Sequence, residues 1–326
     1  MKCIITGGAG FIGSNLVEAL IRIKYEVIVI DNFSTGRIQN LKEFKKKIKI
    51  VKADISKKGD WQKYFKNVKV VFHLAALADI VPSIVNPQSY FNSNVVGTMN
   101  ILEASRNYKV NKIIYSASSS CYGLPKKFPT SENEKIKPEY PYALTKYLGE
   151  ELVMNWGKVY NLNVISLRFF NVYGLKSRTS GTYGAVFGVF LAQKISKKPF
   201  TVVGNGKQKR DFTYVSDVVD ALISASKSKL NNEIFNIGSS KTYSINQLVK
   251  YLGGEVVYIP KRPGEPDCTW ADITKAKRLL KWKPKISLEK GVEVLLENID
   301  YWRSAPLWNP KLISKATKDW FKYLDK

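Results

Sequence analysis

The sequence predicts an α/β fold, a doubly wound parallel sheet followed by a smaller C-terminal α/β lobe. Three observations carry this. Six short runs, at 3–5, 27–30, 49–51, 70–72, 112–115 and 164–167, are near-continuous apolar stretches rich in β-branched residues, as expected of strands buried on both faces. Segments with helical spacing, such as 11–23 and 92–108, lie between them, and strand–helix alternation marks parallel β-α-β units. A glycine-rich turn at 7–13 joins the first strand to the first helix. After about residue 174 the rhythm breaks, and Gly and Pro scatter. Residues 1–173 are therefore expected to form the sheet domain. Residues 212–237 are expected to return to it, as a helix at 215–224 and a strand at 233–237. Residues 174–211 and 238–326 are left for the second lobe. In this architecture a ligand sits beyond the C-terminal ends of the strands, between the lobes.

Composition narrows the function classes. The chain has 326 residues, 44% hydrophobic and 24% charged, an ordinary globular balance. Its start lacks the h-region of a secretory signal, and no apolar stretch reaches the roughly 18 residues of a membrane span, so a cytoplasmic protein without membrane association is expected. Cys3, Cys121 and Cys268 are odd in number and widely spaced, which reads as buried, inert thiols in a reducing compartment. His73 is the sole histidine. It excludes a multi-histidine metal site and reads as structural at a strand end. The net charge of +25 comes from lysines spread along the chain. No basic run is interleaved with aromatics, so no nucleic-acid partner is expected.

Gly7, Gly10 and Gly13 form G-x-x-G-x-x-G directly after a strand, with Phe11 and Ile12 opening the helix. Glycines let the backbone approach a pyrophosphate, and the helix N-terminus offers free N–H groups. Asp31 ends the second strand. A carboxylate there accepts from the adenosine ribose and repels a 2′-phosphate, so a Rossmann-type domain binding NAD rather than NADP is expected. Leu74, Ala75 and Ala76 follow the fourth strand, where small residues let a ligand lie flat on the backbone. Tyr142 and Lys146 share a helix face at i and i+4. A tyrosine with pKa near 10 becomes a usable base only beside positive charge; a lysine and the nicotinamide of NAD+ both supply it. The run 116–120 of serines and one alanine ends the fifth strand, where a hydroxyl can bond a reacting oxygen. Taken singly, it is also an ordinary polar loop.

With these motifs the chain resembles the extended short-chain dehydrogenase/reductase family, and within it the nucleotide-sugar epimerases and dehydratases. The resemblance runs over nearly the whole chain. Its motifs are 6–13, Asp31-Asn32, Asp54-Ile55, 73–76, Tyr122-Gly123, Tyr142 with Lys146, 168–171, 210–215 with Asp217, 262–265 and 270–272. It implies Ser118 as the catalytic hydroxyl, Tyr142 as base and Lys146 as ribose-binding partner. It adds Asn32, Asp54, Ile55, Asn94 and Phe170 as cofactor contacts, and Asn171, Arg210, Arg262 and Glu265 as ligands of the nucleotide diphosphate. Dehydrating members resemble Thr-Asp-Glu in the serine segment, and decarboxylating members carry a Glu there. This chain has Ser118-Ser119-Ser120, so the resemblance implies 4-epimerisation of a UDP-sugar with NAD recycled. A 4,6-dehydratase or 4-reductase on the same scaffold is the alternative, and a non-catalytic NAD sensor a more distant one. Relatives are commonly homodimers. The small-residue stretch 179–185 marks the entrance to the second lobe. The aromatic stripe of Trp302, Trp308, Trp320 and Phe321 reads as helix packing.

Overall fold

The computed structural model describes residues 1–177 and 184–325; residues 179–183 of the small-residue stretch lie outside them. Strands β1 (Lys2–Thr6), β2 (Glu26–Asp31), β3 (Ile48–Lys52), β4 (Val70–His73), β5 (Lys112–Ser118) and β6 (Val164–Phe169) are joined by a later strand. That strand is β8 (Glu233–Ile237); β7 (Phe200–Val203) precedes it and β9 (Val256–Ile259) follows it, both outside the large sheet. The seven-stranded sheet runs β8-β6-β5-β4-β1-β2-β3, every pairing parallel. Strand order therefore reverses between β1 and β4, which opens a crevice at their carboxyl ends.

The continuous apolar runs are explained by burial on both faces. Along β1, Cys3 and Ile5 join one core and Ile4 the other; along β2, Val27 and Val29 face one side, Ile28 and Ile30 the other. Helices α1 (Phe11–Arg22) and α2 (Gly97–Asn107) cover opposite faces, as their buried Leu16 and Val17, and Ile101 and Leu102, show. The stretch 92–108, expected as one helix, opens with a π turn over Asn92–Val96. A third core, with Tyr173, Phe190, Phe200, Leu248 and Trp302, fills the space under α4 (Val186–Ile195), α6 (Ile245–Leu252) and α7 (Leu288–Glu297), where β7 and β9 pair in parallel. Between them, α5 (Val215–Lys227) packs on the sheet before β8.

The helix with Tyr142 and Lys146 is α3 (Pro141–Tyr160), opened by Pro141 and closed by left-handed Asn161. It lies so close to the sheet that a Cβ on Gly149 would stand 2.3 Å from Tyr115 Oη and 3.0 Å from the Asn94 carbonyl oxygen. Gly149→Ala should therefore overpack the seam and cost roughly 1–3 kcal/mol, read as a lower melting temperature. Tyr115→Phe removes the nearer of the two obstructing atoms. The double variant should be more stable than the sum of the two losses allows; strict additivity would refute this packing account.

Candidate active site

The turn after β1 shapes one end of the site. Gly7 N–H donates to Ile30 O (2.9 Å) and Gly10 N–H to Gly7 O (3.1 Å). A Cβ on Gly13 would reach 2.2 Å from Gly7 O, so only glycine lets the helix start this close to the turn. No side chain caps α1 at Gly10, and its first N–H groups point toward a cleft of about 390 Å3. Gly7, Gly10, Phe11, Ile12, Gly13, Asp31, Asn32, Asp54, Ile55, Leu74, Ala75 and Ala76 all line this cleft. Asp31 accepts from Ala9 N (2.9 Å) and Phe33 N (2.8 Å). Burial raises its pKa and these two bonds oppose the rise. Asn32 and Asp54 each close a local turn, on Ser34 N and on Ser56. An open helix N-terminus facing a carboxylate across a glycine floor fits a dinucleotide: pyrophosphate at the N–H groups, ribose at Asp31.

A second cleft, about 520 Å3, shares Phe11, Ile12, Leu74, Ala76 and Ser116 with the first and is lined by Ser118, Tyr142, Lys146, Phe170, Asn171, Arg210, Arg262 and Glu265. Ser118 ends β5 and caps the short turn Ser119–Tyr122 by accepting from Ser120 N; its Oγ lies 2.8 Å from Ser120 Oγ. Burial raises the Tyr142 phenol, and a hydrogen bond with Ser118 pulls it back. Lys146 is 4% exposed. Burial lowers its pKa to about 7, against the opposing pull of Glu150 one turn on. Its Nζ sits 4.4 Å over the Tyr115 ring, and Tyr115 Oη donates to Lys146 O (3.1 Å).

At the far wall two arginines converge on one carboxylate. Arg210 Nη2 reaches Glu265 Oε1 at 2.9 Å, and Arg262 Nε reaches Glu265 Oε2 at 2.8 Å. Burial opposes ionisation of Glu265, but Arg262 and Arg210 together hold its pKa below the usual value. Asn171 Oδ1 accepts from Thr269 Oγ1 (2.7 Å) beside them.

Asn94, expected as a cofactor contact, is buried beside the site. It is on neither cleft wall. Its amide clamps Leu77 through N and O and donates to Thr145 Oγ1, and Thr145 in turn bonds Tyr142 O. The side chain holds the loop after β4 to α3. His73 belongs to the same scaffold. It bonds Thr6 Oγ1 (2.7 Å) and Thr98 Oγ1 (3.0 Å), and burial lowers its pKa to about 3, a neutral structural histidine. Cys3 and Cys121 are buried with pKa pushed up to about 12; Cys268 is half-buried.

Several wall residues gave no sequence signal of their own. Tyr140 and Asp79 line the second cleft. The aromatic stripe needs correcting. Trp302 is core, fully buried, but Trp308 lines the first cleft and Trp320 the second. The chain after α7 folds back across the mouth, so these rings both pack and form wall.

The family model described as GDP-mannose 4,6 dehydratase matches residues 4–295. A Methanocaldococcus jannaschii protein, provisionally named a UDP-glucose 4-epimerase, is 40% identical over 298 residues, covering 89% of this chain and 95% of that one. The Thermotoga maritima UDP-glucose 4-epimerase, solved with UDP-glucose, is 35% identical, with TM-score 0.87 over 93% of this chain and 99% of that one. The Bacillus cereus UDP-glucuronic acid 4-epimerase, solved with UDP-glucuronic acid and NAD, is 34% identical, with TM-score 0.85 over 92% and 99%. Other chemistry occurs at similar distance: a Bacillus cytotoxicus UDP-N-acetyl-alpha-D-glucosaminuronate decarboxylase is 32% identical over 319 residues, 93% of this chain and 98% of that one.

The buried lysine generates a stability prediction. Its folded pKa of about 7 lies below the ordinary lysine value of 10.5. The fold thus carries a penalty fully present below pH 7, fading as pH rises from 7 to 10.5 and absent above. Lys146→Met should be more stable than the parent by about 1–4 kcal/mol near pH 6, and the gap should close toward pH 10. Urea denaturation of both proteins across that range reads it. A gap independent of pH would mean the ammonium is not desolvated.

Proposed function

The chain belongs to the GDP-mannose 4,6-dehydratase family of extended short-chain dehydrogenases/reductases, and we propose that within it this chain is a 4-epimerase of a UDP-linked hexose. NAD is the cofactor of this family fold, and when bound supplies the acceptor and donor of hydride. The observation that carries the reading is the meeting of Ser118, Tyr142 and Lys146 on the wall of the second cleft, which shares Ser116 and Ala76 with the first, with no carboxylate in the serine segment.

Gly7, Gly10 and Gly13 with the N-terminus of α1 would hold the pyrophosphate, and Asp31 the adenosine ribose. Arg210 and Arg262 would anchor the substrate diphosphate, with Asn171 beside them. Tyr142 then takes the proton from the sugar O4 and later returns it, while Ser118 bonds the same oxygen. Lys146 would bond the cofactor ribose and bring positive charge toward the phenol. A 4,6-elimination needs a free acid/base pair at the sugar. Of the carboxylates on this wall, Glu265 is held by both arginines, and the segment Ser118-Ser119-Ser120 supplies none. That supports inversion at C4 over elimination. The three free thiols, Cys3, Cys121 and Cys268, accord with a reducing compartment. Exposed Met99, Leu144 and Val159 on α2 and α3 supply an apolar face for a second copy.

Incubated with NAD+ and UDP-hexoses, the protein should relax one sugar to a mixture with its C4 epimer, followed by NMR of the anomeric signals. A 4-keto-6-deoxy product, or stoichiometric consumption of NAD(P)H, would replace this reading by dehydratase or reductase. Tyr142→Phe should lower kcat by about 10²–10⁴-fold with little change in KM. Light scattering should give twice the 37.0 kDa chain mass, and Val159→Arg should shift it toward one.

A further inference from the structure

We propose that Trp320 is a positioning residue that fixes Arg262 in the anion-binding wall, so that it governs the grip on a substrate's diphosphate rather than on its nucleoside. It lies on helix α8 (Lys318–Leu324), beyond the residues matched by the family model. Trp320 is the one buried side chain of this helix, 3% exposed.

Its contacts converge on a single short segment. The Arg262 guanidinium carbon lies 5.2 Å over the indole ring. The indole N–H donates to Pro263 O at 2.7 Å. The ring therefore holds both the side chain of residue 262 and the backbone that follows it. Gly264 sits at φ +68°, so this backbone is a turn that needs an external hold to keep one geometry. A guanidinium carried on an aromatic face keeps its in-plane N–H groups for carboxylate or phosphate oxygens. Here that plane serves Glu265 through Nε and Nη2. On its other side Trp320 meets Tyr140 at 6.3 Å, and Tyr140 stacks on Tyr142 at 6.4 Å and 8°. The indole thus sets the distance between the arginine wall and the segment carrying Tyr142.

The inference rests on the reading of the Arg210–Arg262 wall as a diphosphate site. Calorimetric titration of the full chain with UDP and with UMP tests it. The wild type should prefer UDP. Trp320→Ala should weaken UDP about tenfold, from a lost cation–π contact and a loosened turn, with UMP changed far less. Trp320→Phe, which keeps a ring, should recover most of the UDP affinity and guards against a misfolded alanine variant. In an Arg262→Ala background Trp320→Ala should add almost nothing. Equal losses for UDP and UMP, or none, overturn the positioning role while leaving the diphosphate site standing. A wild type that binds UMP as tightly as UDP overturns the diphosphate reading and this inference with it.

Discussion

The buried ion pair between Glu150 and Arg168 holds the site together. Both side chains are almost fully enclosed, at 1% and 4% exposure, with their closest atoms 2.6 Å apart. Desolvating two charges is expensive, and such a pair holds only when every polar atom is used. Here Ser166 Oγ donates to Glu150 Oε2, while Arg168 Nη1 donates to Tyr122 Oη and to Glu132 O. Four pieces of chain are thereby set at once: α3 through Glu150, β6 through Arg168, the turn after β5 through Tyr122, and the 130–132 segment. Tyr122 Oη and Asn236 Nδ2 extend the network to β8 and Thr130 O. A pair of this kind adds little net stability. It penalises every arrangement in which one of these pieces moves away, so it specifies where Ser118, on β5, stands relative to Tyr142, on α3.

The same enclosure creates an electrostatic tension. In the protein alone, burial pushes Tyr142 up and Lys146 down to about 7, so the uncharged forms of both are favoured. A phenolate needs positive charge to offset this. Glu150 works to keep Lys146 protonated, and the Tyr115 ring lies under the ammonium. On the proposed mechanism the remaining positive charge would come from the oxidised cofactor. Tyr142 would then be a strong base only when the adjoining cleft holds the oxidised form, which would tie proton transfer to the presence of a hydride acceptor. Neutral His73 fits this scheme, since a second buried cation at the end of β4 would repel Lys146.

Legibility in the sequence followed the range of the interactions. The six runs were readable because burial on both faces removes polar alternation, and their helical spacers because amphipathicity is local. The glycines, Asp31, and Tyr142 with Lys146 were readable because each lies within one turn or one element whose geometry fixes the spacing. Arg210 and Arg262 came only from the resemblance. They are distant in sequence and meet through Glu265, which no local pattern encodes. The bonds of Asn94 to Leu77 and Thr145 were not readable either; a residue type at a motif position does not say which way the amide faces. Trp320 carried the signal of packing, and it does pack. That its ring also walls the cleft depends on the return of the C-terminal helices over the mouth.

Charge explains why the wall suits an anion. Glu150 answers Arg168 one to one, so that pair carries no net charge. Glu265 must answer both Arg210 and Arg262. Glu265 is thus shared between two guanidinium groups in a partly desolvated place, where charges count for more than on the surface. Lys45, Lys46 and Lys47, by contrast, are exposed, and salt screens such charges within about 8–10 Å. The +25 net charge can raise the local concentration of any anion, but it cannot choose one. On the proposed reading, selection falls to the arginine wall, because Arg210 and Arg262 would offer a diphosphate planar donors that scattered surface lysines lack.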